Sequence, residues 1–276
     1  MRYLNGVGDK VWMPREVSLP VGLKLSALQA VYCRADDAVA VGDLHLGYEA
    51  SLQAEHVAIP RFQLRPMLDR LGEILLRFDP ALVIINGDLK HEFGHNKRQE
   101  WTEVEALLDM LSGREVVAVR GNHDNYLQTI LSKRGIRMTD SYTSSDGMLT
   151  FQHGHLRVLH GEGFRVFGHE HPMVRLRDAI GARMAVPCFL FDEPNGFLVM
   201  PAFSPLASGT DVSSPESAFM NPAIRNMDIS KARVYAIHEG LMDFGTVGNL
   251  REMRDDFTLE RMKDRNMRNG VERADV

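Results

Sequence analysis

The side chains able to do chemistry in this chain gather where apolar runs stop. Ala38 to Val41 leads into Gly42-Asp43-Leu44-His45, Leu82 to Ile85 into Asn86-Gly87-Asp88, Val116 to Val119 into Arg120-Gly121-Asn122-His123-Asp124, and Phe164 to Phe167 into Gly168-His169-Glu170-His171. A fifth segment, Met148 to Gln152, runs into His153-Gly154-His155. Carboxylate, imidazole and amide oxygen suit hard and borderline divalent cations. Asp43, His45, Asp88, Asn122, His153, His169 and His171 supply enough donors for two such ions sharing one carboxylate. That arrangement clamps a phosphoryl group and acidifies bound water, so the chemistry implied is hydrolysis at phosphorus.

Singly, these pieces say little. An Asp-x-His pair arises by chance, a Gly-Asp after a strand is commonly a turn, and a lone His is more often a satisfied core or surface group than a ligand. Asn122 is more telling, because Asn is a poor structural choice directly after a buried strand, yet its amide oxygen is an acceptable metal donor. If Asp43-Leu44-His45 is extended, its first and third side chains share a face and can hold one ion together. Five such groups, each at a strand exit, point into one crevice.

Continuous Val/Ile/Leu/Ala runs read as buried strands of an α/β sheet, and ligands collect beyond the carboxyl ends of such strands. Helical spacing of Leu64, Met67, Leu68, Leu71, Ile74, Leu75 and Phe78 predicts a helix over 62–78, closed by Asp79-Pro80. A second helix over 97–111 buries Trp101, Val104, Leu107, Leu108 and Leu111. Strands are expected near 28–34 and 37–41, and the β-α-β-α-β order that follows gives a parallel sheet with right-handed crossovers. After about Ile136 come short β-type segments at 148–152, 164–167, 174–177, 183–191, 197–200, 233–237 and 241–244, spaced by turn residues as in antiparallel pairing. Residues 1–22 read as an N-terminal arm or short edge strand, 23–248 as the main domain, and 249–276 as a charged tail, helical or disordered. Within the domain, 201–228 is rich in Ser, Pro, Asn and Gly and is expected to be either a lid over the crevice or disordered.

Composition narrows the class. A net charge of -5 announces no basic field for nucleic acid or anionic membrane. Two dications would still reverse the potential inside the crevice, so a phosphate-containing substrate fits. Cys33 and Cys188, both flanked by apolar residues, read as buried thiols in a reducing compartment rather than as a disulfide or metal ligands. The first ten residues lack the basic and apolar regions of a signal peptide and no apolar stretch is long enough for a membrane span, so a cytoplasmic protein is expected.

The ordered set Asp-x-His, Gly-Asp, Gly-Asn-His-Asp, His-Gly-His and Gly-His-x-His resembles the calcineurin-like binuclear metallophosphoesterases across roughly 38–200. More narrowly, Asp43-Leu44-His45-Leu46-Gly47-Tyr48-Glu49 and Gly87-Asp88-Leu89-Lys90-His91 resemble the branch of SbcD and the double-strand-break repair nucleases. The resemblance implies an α/β fold, a four-layer α-β-β-α sandwich of two mixed sheets flanked by helices. It assigns one ion to Asp43, His45, Asp88 and His171 and the other to Asp88, Asn122, His153 and His169. It also implies phosphodiester hydrolysis by attack of a metal-bound hydroxide. The chain departs from the nuclease branch in lacking Pro and Ser after the second motif and in leaving no room for a large capping domain, which disfavours long duplex DNA.

His123 is expected to protonate the leaving oxygen or bind transition-state charge, with Asp124 holding its imidazole. His91 would contact the phosphate or leaving group, or donate from behind the ligands, and His155 and Glu170 would stand behind them too. The donor set favours Mn²⁺, with Fe²⁺, Zn²⁺ and Ni²⁺ compatible. The leading expectation is a nuclease acting on DNA ends or single-stranded DNA. Alternatives are a phosphodiesterase or phosphomonoesterase of small substrates, and a non-catalytic scaffold, against which the full donor set argues. Arg61, Arg65, Lys90, Lys97 and Arg98 are candidate phosphate grips.

Overall fold

A computed structural model of the chain describes residues 13–157, 163–177 and 183–252. The arm and tail expected at the two ends therefore lie largely outside the described residues. Apolar runs with every residue buried become strands covered on both faces, β4 (Ala38–Val41) and β5 (Leu82–Asn86) among them. They sit in a first sheet with β1 (Glu16–Ser18), β2 (Leu23–Ser26), β3 (Ala30–Cys33), β6 (Glu115–Val119) and β7 (Met138–Thr139). Spatial order follows sequence order, antiparallel from β1 to β4 and parallel from β4 to β7.

The second sheet comprises β8 (Tyr142–Thr143), β9 (Leu149–Gln152), β10 (Phe164–Phe167), β11 (Met173–Arg177), β12 (Arg183–Asp192), β13 (Phe197–Val199), β14 (Arg233–Ile237) and β15 (Leu241–Thr246). Its order is β15-β14-β12-β13-β10-β9-β8, with β11 paired to β12. Turn spacing predicts antiparallel pairing here, but β10 runs parallel to both β9 and β13. Both sheets are thus mixed. The parallel pairs aim the carboxyl ends of β9 and β10 the same way, which puts His153 and His169 side by side.

The layers are an α/β sandwich. Leu25, Val31, Ala40 and Ile84 of one sheet meet Phe151, Val166, Phe189 and Leu198 of the other. On the outer face of the first sheet lie α2 (Leu64–Phe78) and α3 (Arg98–Met110), following α1 (Tyr48–Ala54). Helix α2 buries Met67, Leu71, Ile74 and Leu75, one stripe at helical period, and stops where Asp79 turns left-handed at φ 40 before Pro80. Helix α3 starts with the Glu100 carboxylate accepting from the Lys97 N–H at 2.8 Å. A short α4 (Gln128–Leu131) closes that face. The outer face of the second sheet is covered by α5 (Val247–Glu252) and by chain between 212 and 229 that buries Val212, Phe219, Ile224 and Ile229. Much of the Ser/Pro/Asn-rich segment is therefore packed core covering.

Candidate metal centre

Strand pairing continues into the loops, and that continuation assembles the site. Past the ends of β4 and β5, Asp43 N–H donates to Gly87 O, His45 N–H to Asp88 O and Leu46 N–H to Leu89 O, each at 2.9 Å. The loops after β4 and β5 are thereby zipped side by side. Gly87 makes the approach possible: at φ +89 it carries no Cβ, and one added there would sit 2.2 Å from His153 Nδ1. From the other sheet, His169 N–H donates to both Asp43 carboxylate oxygens at 3.2 and 3.1 Å.

Asp43, His45, Asp88, His169 and His171 all have positive φ, between 46° and 67°. Left-handed backbone is uncommon outside glycine and costs on the order of 1–3 kcal/mol per residue. It persists here because the surrounding hydrogen bonds over-determine each loop. It also corrects the extended picture of Asp43-Leu44-His45, whose side chains converge through left-handed kinks.

The donors fall into groups whose ligand atoms lie within 4.8 Å of one another: Asp43, His45 and His171; Asp88, His153 and His169; and His45, His91 and His123. Asp88 Oδ2 is 3.3 Å from His153 Nε2 and 3.8 Å from both His45 Nε2 and His123 Nε2. His171 Nε2 is 3.2 Å from Asp43 Oδ1, and Asn122 Oδ1 is 3.1 Å from His153 Nε2. All seven sequence-predicted ligands are thus brought together.

Tautomers follow from backbone carbonyls, which only accept. His171 Nδ1–H donates to Ser208 O at 2.8 Å and His153 Nδ1–H to Asn86 O at 3.3 Å, so each Nε2 faces inward and offers its lone pair there once the ring is neutral. His171 Nε2 is buried and makes no hydrogen bond. An orphaned imidazole lone pair beside a buried carboxylate is what a divalent cation would satisfy, so the residues fit the ions the chemistry implies.

Charge in the cluster is balanced by protons when no ion is bound. Burial opposes ionisation of Asp43 and Asp88, but His171 and His153 hold Asp43 low, and His153 holds Asp88 low. Burial also opposes charge on His153, yet Asp88, Asp43 and Asp124 raise it to about 9. Burial depresses His45 to about 3 and His91, His155 and His169 to about 4. These four are neutral donors at ordinary pH.

The structure corrects one role. Asp124 does not hold the His123 imidazole; its carboxylate accepts from Gly121 N–H at 2.8 Å and from Asp88 and Leu89 N–H at 2.9 Å, tying the β6 loop to the β5 loop. Burial and the Asp88 carboxylate keep Asp124 at about 6 despite those donors. His123 is oriented instead by its Nδ1–H on His91 O, and its N–H donates to Asp88 Oδ1 at 2.9 Å. His91 stacks on Tyr48 at 3.6 Å, with Nδ1 3.4 Å from His45 Nδ1. Glu170 points away from the donors, accepting from Thr210 Oγ1 and from Met220 and Asn221 N–H. His155 lies 5.3 Å from His153, ring to ring.

Sequence reasoning missed Gln63, whose Nε2 donates to His45 O at 2.9 Å, and Asn86, whose Nδ2 donates to Val166 O at 3.2 Å across the sheets. Gln63 gives no local signal; Asn86, a polar end to an apolar run, does. Of the candidate phosphate grips, Lys97 is paired to Glu92 at 2.5 Å and Arg65 to Asp69 at 3.0 Å, while Lys90 Nζ donates to Glu92 O and Gly94 O. Two residues beyond His155, a cavity of about 330 Å³ is lined by Arg157, Pro222, Arg225 and Asn226.

The calcineurin-like phosphoesterase family model matches residues 38–178, just over half of the chain. The chain belongs to the calcineurin-like phosphoesterase family. No curated protein sequence matches it. A crystal structure of the Pseudomonas putida nuclease MPE is 26% identical with a TM-score of 0.61, covering 83% of this chain and 98% of that one. The phosphoesterase Yfce from E. coli is 17% identical with a TM-score of 0.35, covering 72% and 87%. Within the family frame, two of the three donor groups, Asp43/His45/His171 and Asp88/His153/His169, are potential metal-binding clusters consistent with a binuclear site, suited to metal-dependent phosphoester hydrolysis.

Proposed function

We propose that this chain is a binuclear metal-dependent phosphodiesterase of the SbcD-related type that cleaves DNA at ends or in single strands. The observation that carries the reading is Asp88, one carboxylate oxygen set 3.3 to 3.8 Å from imidazoles of three different loops and standing between two donor clusters. Likeness to the P. putida nuclease along nearly all of that chain supports nucleic acid as substrate. The runs Asp43 to Glu49 and Gly87 to His91 support the branch.

Asp43, His45, Asp88 and His171 would hold one ion, and Asp88, Asn122, His153 and His169 the other. Two such ions, Mn²⁺ by the mixed nitrogen and oxygen donor set, supply Lewis acidity at the phosphoryl oxygens and an acidified water for in-line attack. His123 keeps Nδ1–H on the His91 carbonyl, so Nε2 is the atom free to carry a proton to the leaving oxygen. Phe93 and His91 pack on the two neighbouring sides of that ring, at 3.8 and 5.2 Å, and limit solvent around it. A phosphate monoester dianion is usually gripped by further cations. Lys90 and Lys97 are committed to protein partners, which takes away two of the five candidate grips and weighs toward the diester.

The test is hydrolysis of a model diester, a model monoester and short single-stranded DNA by metal-free and Mn²⁺-loaded protein. Mn²⁺-dependent cleavage of the diester and of DNA is expected, with kcat reduced about 10²- to 10⁴-fold in His123→Ala at unchanged metal content. Monoester turnover without diester cleavage would replace this reading with a small-substrate phosphomonoesterase.

A further inference from the structure

Beside the donor clusters the protein exposes aromatic surface that no ligand role uses. Phe93 is 52% exposed and Tyr126 is 53% exposed. The Phe93 ring lies 3.8 Å from the His123 ring at 32°, and His123 Nε2 is 3.8 Å from Asp88 Oδ2. Tyr126 sits 4.4 Å from His95, ring to ring.

The two segments bearing these rings are locked together. Asn96 Nδ2 donates to Tyr126 O and to Thr129 Oγ1, both at 2.9 Å. From behind, the fully buried Lys90 places its ammonium on Glu92 O and Gly94 O, and Glu100 accepts from Glu92 N–H at 2.7 Å. These bonds brace the backbone on both sides of Phe93 and tie it to the segment that carries Tyr126. The ring packs on His123 at 3.8 Å, beside the Asp88 carboxylate, and keeps about half of its surface open to solvent.

We propose that Phe93, assisted by Tyr126, is the stacking platform for a nucleobase flanking the scissile phosphodiester. The inference rests on the nucleic-acid reading above and names the residues that select the strand. Phe93 has a π-face and no polar handle, so it takes a flat partner. Its ring neighbour is His123, which stacks in turn on His91, and His91 on Tyr48, so the platform ends a run of rings rather than a patch of the aliphatic side chains an apolar peptide would seek. Every base has a π-face, so the platform tolerates sequence. A base inside a duplex is already stacked on both sides, so the platform favours an unpaired strand.

The test uses full-length protein, fluorescein-labelled oligothymidylate of about eight nucleotides and the same strand with one abasic position moved along it. Phe93→Ala is expected to weaken the anisotropy Kd and raise KM by about 5- to 150-fold, the range for losing one aromatic–base stack. Phe93→Trp should restore both, and Phe93→Leu, which fills space against His123 without a π-face, should not. Wild type should lose affinity when the abasic residue occupies one particular position, and Phe93→Ala should not register that loss. Equal Kd and KM in wild type, Phe93→Ala and Tyr126→Ala would overturn the inference while leaving DNA cleavage intact. A wild-type enzyme that hydrolyses a small diester but neither binds nor cleaves the oligonucleotide would overturn the inference and the nuclease reading together.

Discussion

Gly121 is the position at which a single methyl group should disable the centre. It sits in the loop after β6, and a Cβ built there would lie 2.0 Å from Asp88 Oδ1, 2.3 Å from Asp88 N and 2.8 Å from Asp88 Cγ. Non-bonded Cβ contacts essentially never fall below 3.0 Å, so the two loops must part by roughly 1 Å at Asp88. Because a backbone nitrogen is among the clashing atoms, no side-chain rotation relieves it. Gly121 does not have a positive φ, so alanine is compatible with its backbone and the effect is purely steric. A 1 Å misplacement at a reacting centre costs on the order of 10²-fold in rate. Overpacking adds about 1–3 kcal/mol of destabilisation, a Tm drop of about 2 to 12 °C for a domain of this size. Gly121→Ala should therefore lose at least one bound ion by elemental analysis and about 10²-fold in kcat/KM on a model diester. Gly113→Ala is the control: its φ is +87 with nothing within 4 Å, so it should cost about 1 kcal/mol of stability and leave metal content and rate alone. A Gly121→Ala protein holding two ions, with kcat/KM within about threefold of wild type, would show that Asp88 is not positioned as argued.

Three further perturbations test separate parts of the site. Asp124→Asn presents an amide N–H to backbone donors now satisfied by carboxylate; it should cost about 1–3 kcal/mol in thermal unfolding and weaken metal affinity. At saturating metal kcat should stay near wild type, whereas a loss as large as that of His123→Ala would restore Asp124 as the orienter of that ring. Glu170→Gln disrupts the acceptor that fixes Thr210, Met220 and Asn221 around the His169–His171 loop, and calorimetric titration should show one of two ions bound more weakly. Finally, His153, raised to about 9 without metal, is charged at pH 7.5, so filling the Asp88/His153/His169 cluster should release about one proton, vanishing above about pH 9. A raised imidazole favours folding fully below its ordinary 6.5 and loses that contribution as pH climbs through about 9, so metal-free Tm should fall across that window. Titration enthalpy independent of buffer ionisation at pH 7.5 would contradict it.

The ends of apolar runs told where donors would gather because a buried strand leaves its polar exit groups only one direction to face. Helix α2 was readable for the same local reason, Met67, Leu71 and Ile74 recurring at helical period before Asp79-Pro80. Non-local facts were hidden. Nothing in the sequence marks His91 O as the partner of His123, or the amides of Asp88 and Leu89 as the partners of Asp124, since those contacts span 32 to 36 residues. The parallel pairing of β9, β10 and β13 escaped because short strands with turn residues between them look alike whichever way they pair. The left-handed backbone at Asp43, His45, Asp88, His169 and His171 gave no signal either, because Asp and His enter that region more often than other side chains but still in only a small share of cases. The segment after Pro201 reads as loose by composition, yet Val212, Phe219 and Ile224 bury it against the second sheet.

A crystal of the Mn²⁺-loaded protein, with anomalous difference density measured at the manganese edge, bears directly on the paired-ion centre. Two peaks should appear, one among Asp43, His45 and His171 and one among Asp88, His153 and His169, with the Asp88 carboxylate between them. A single peak, or density held by His45, His91 and His123 instead, would mean that the centre described here is not the one the protein builds.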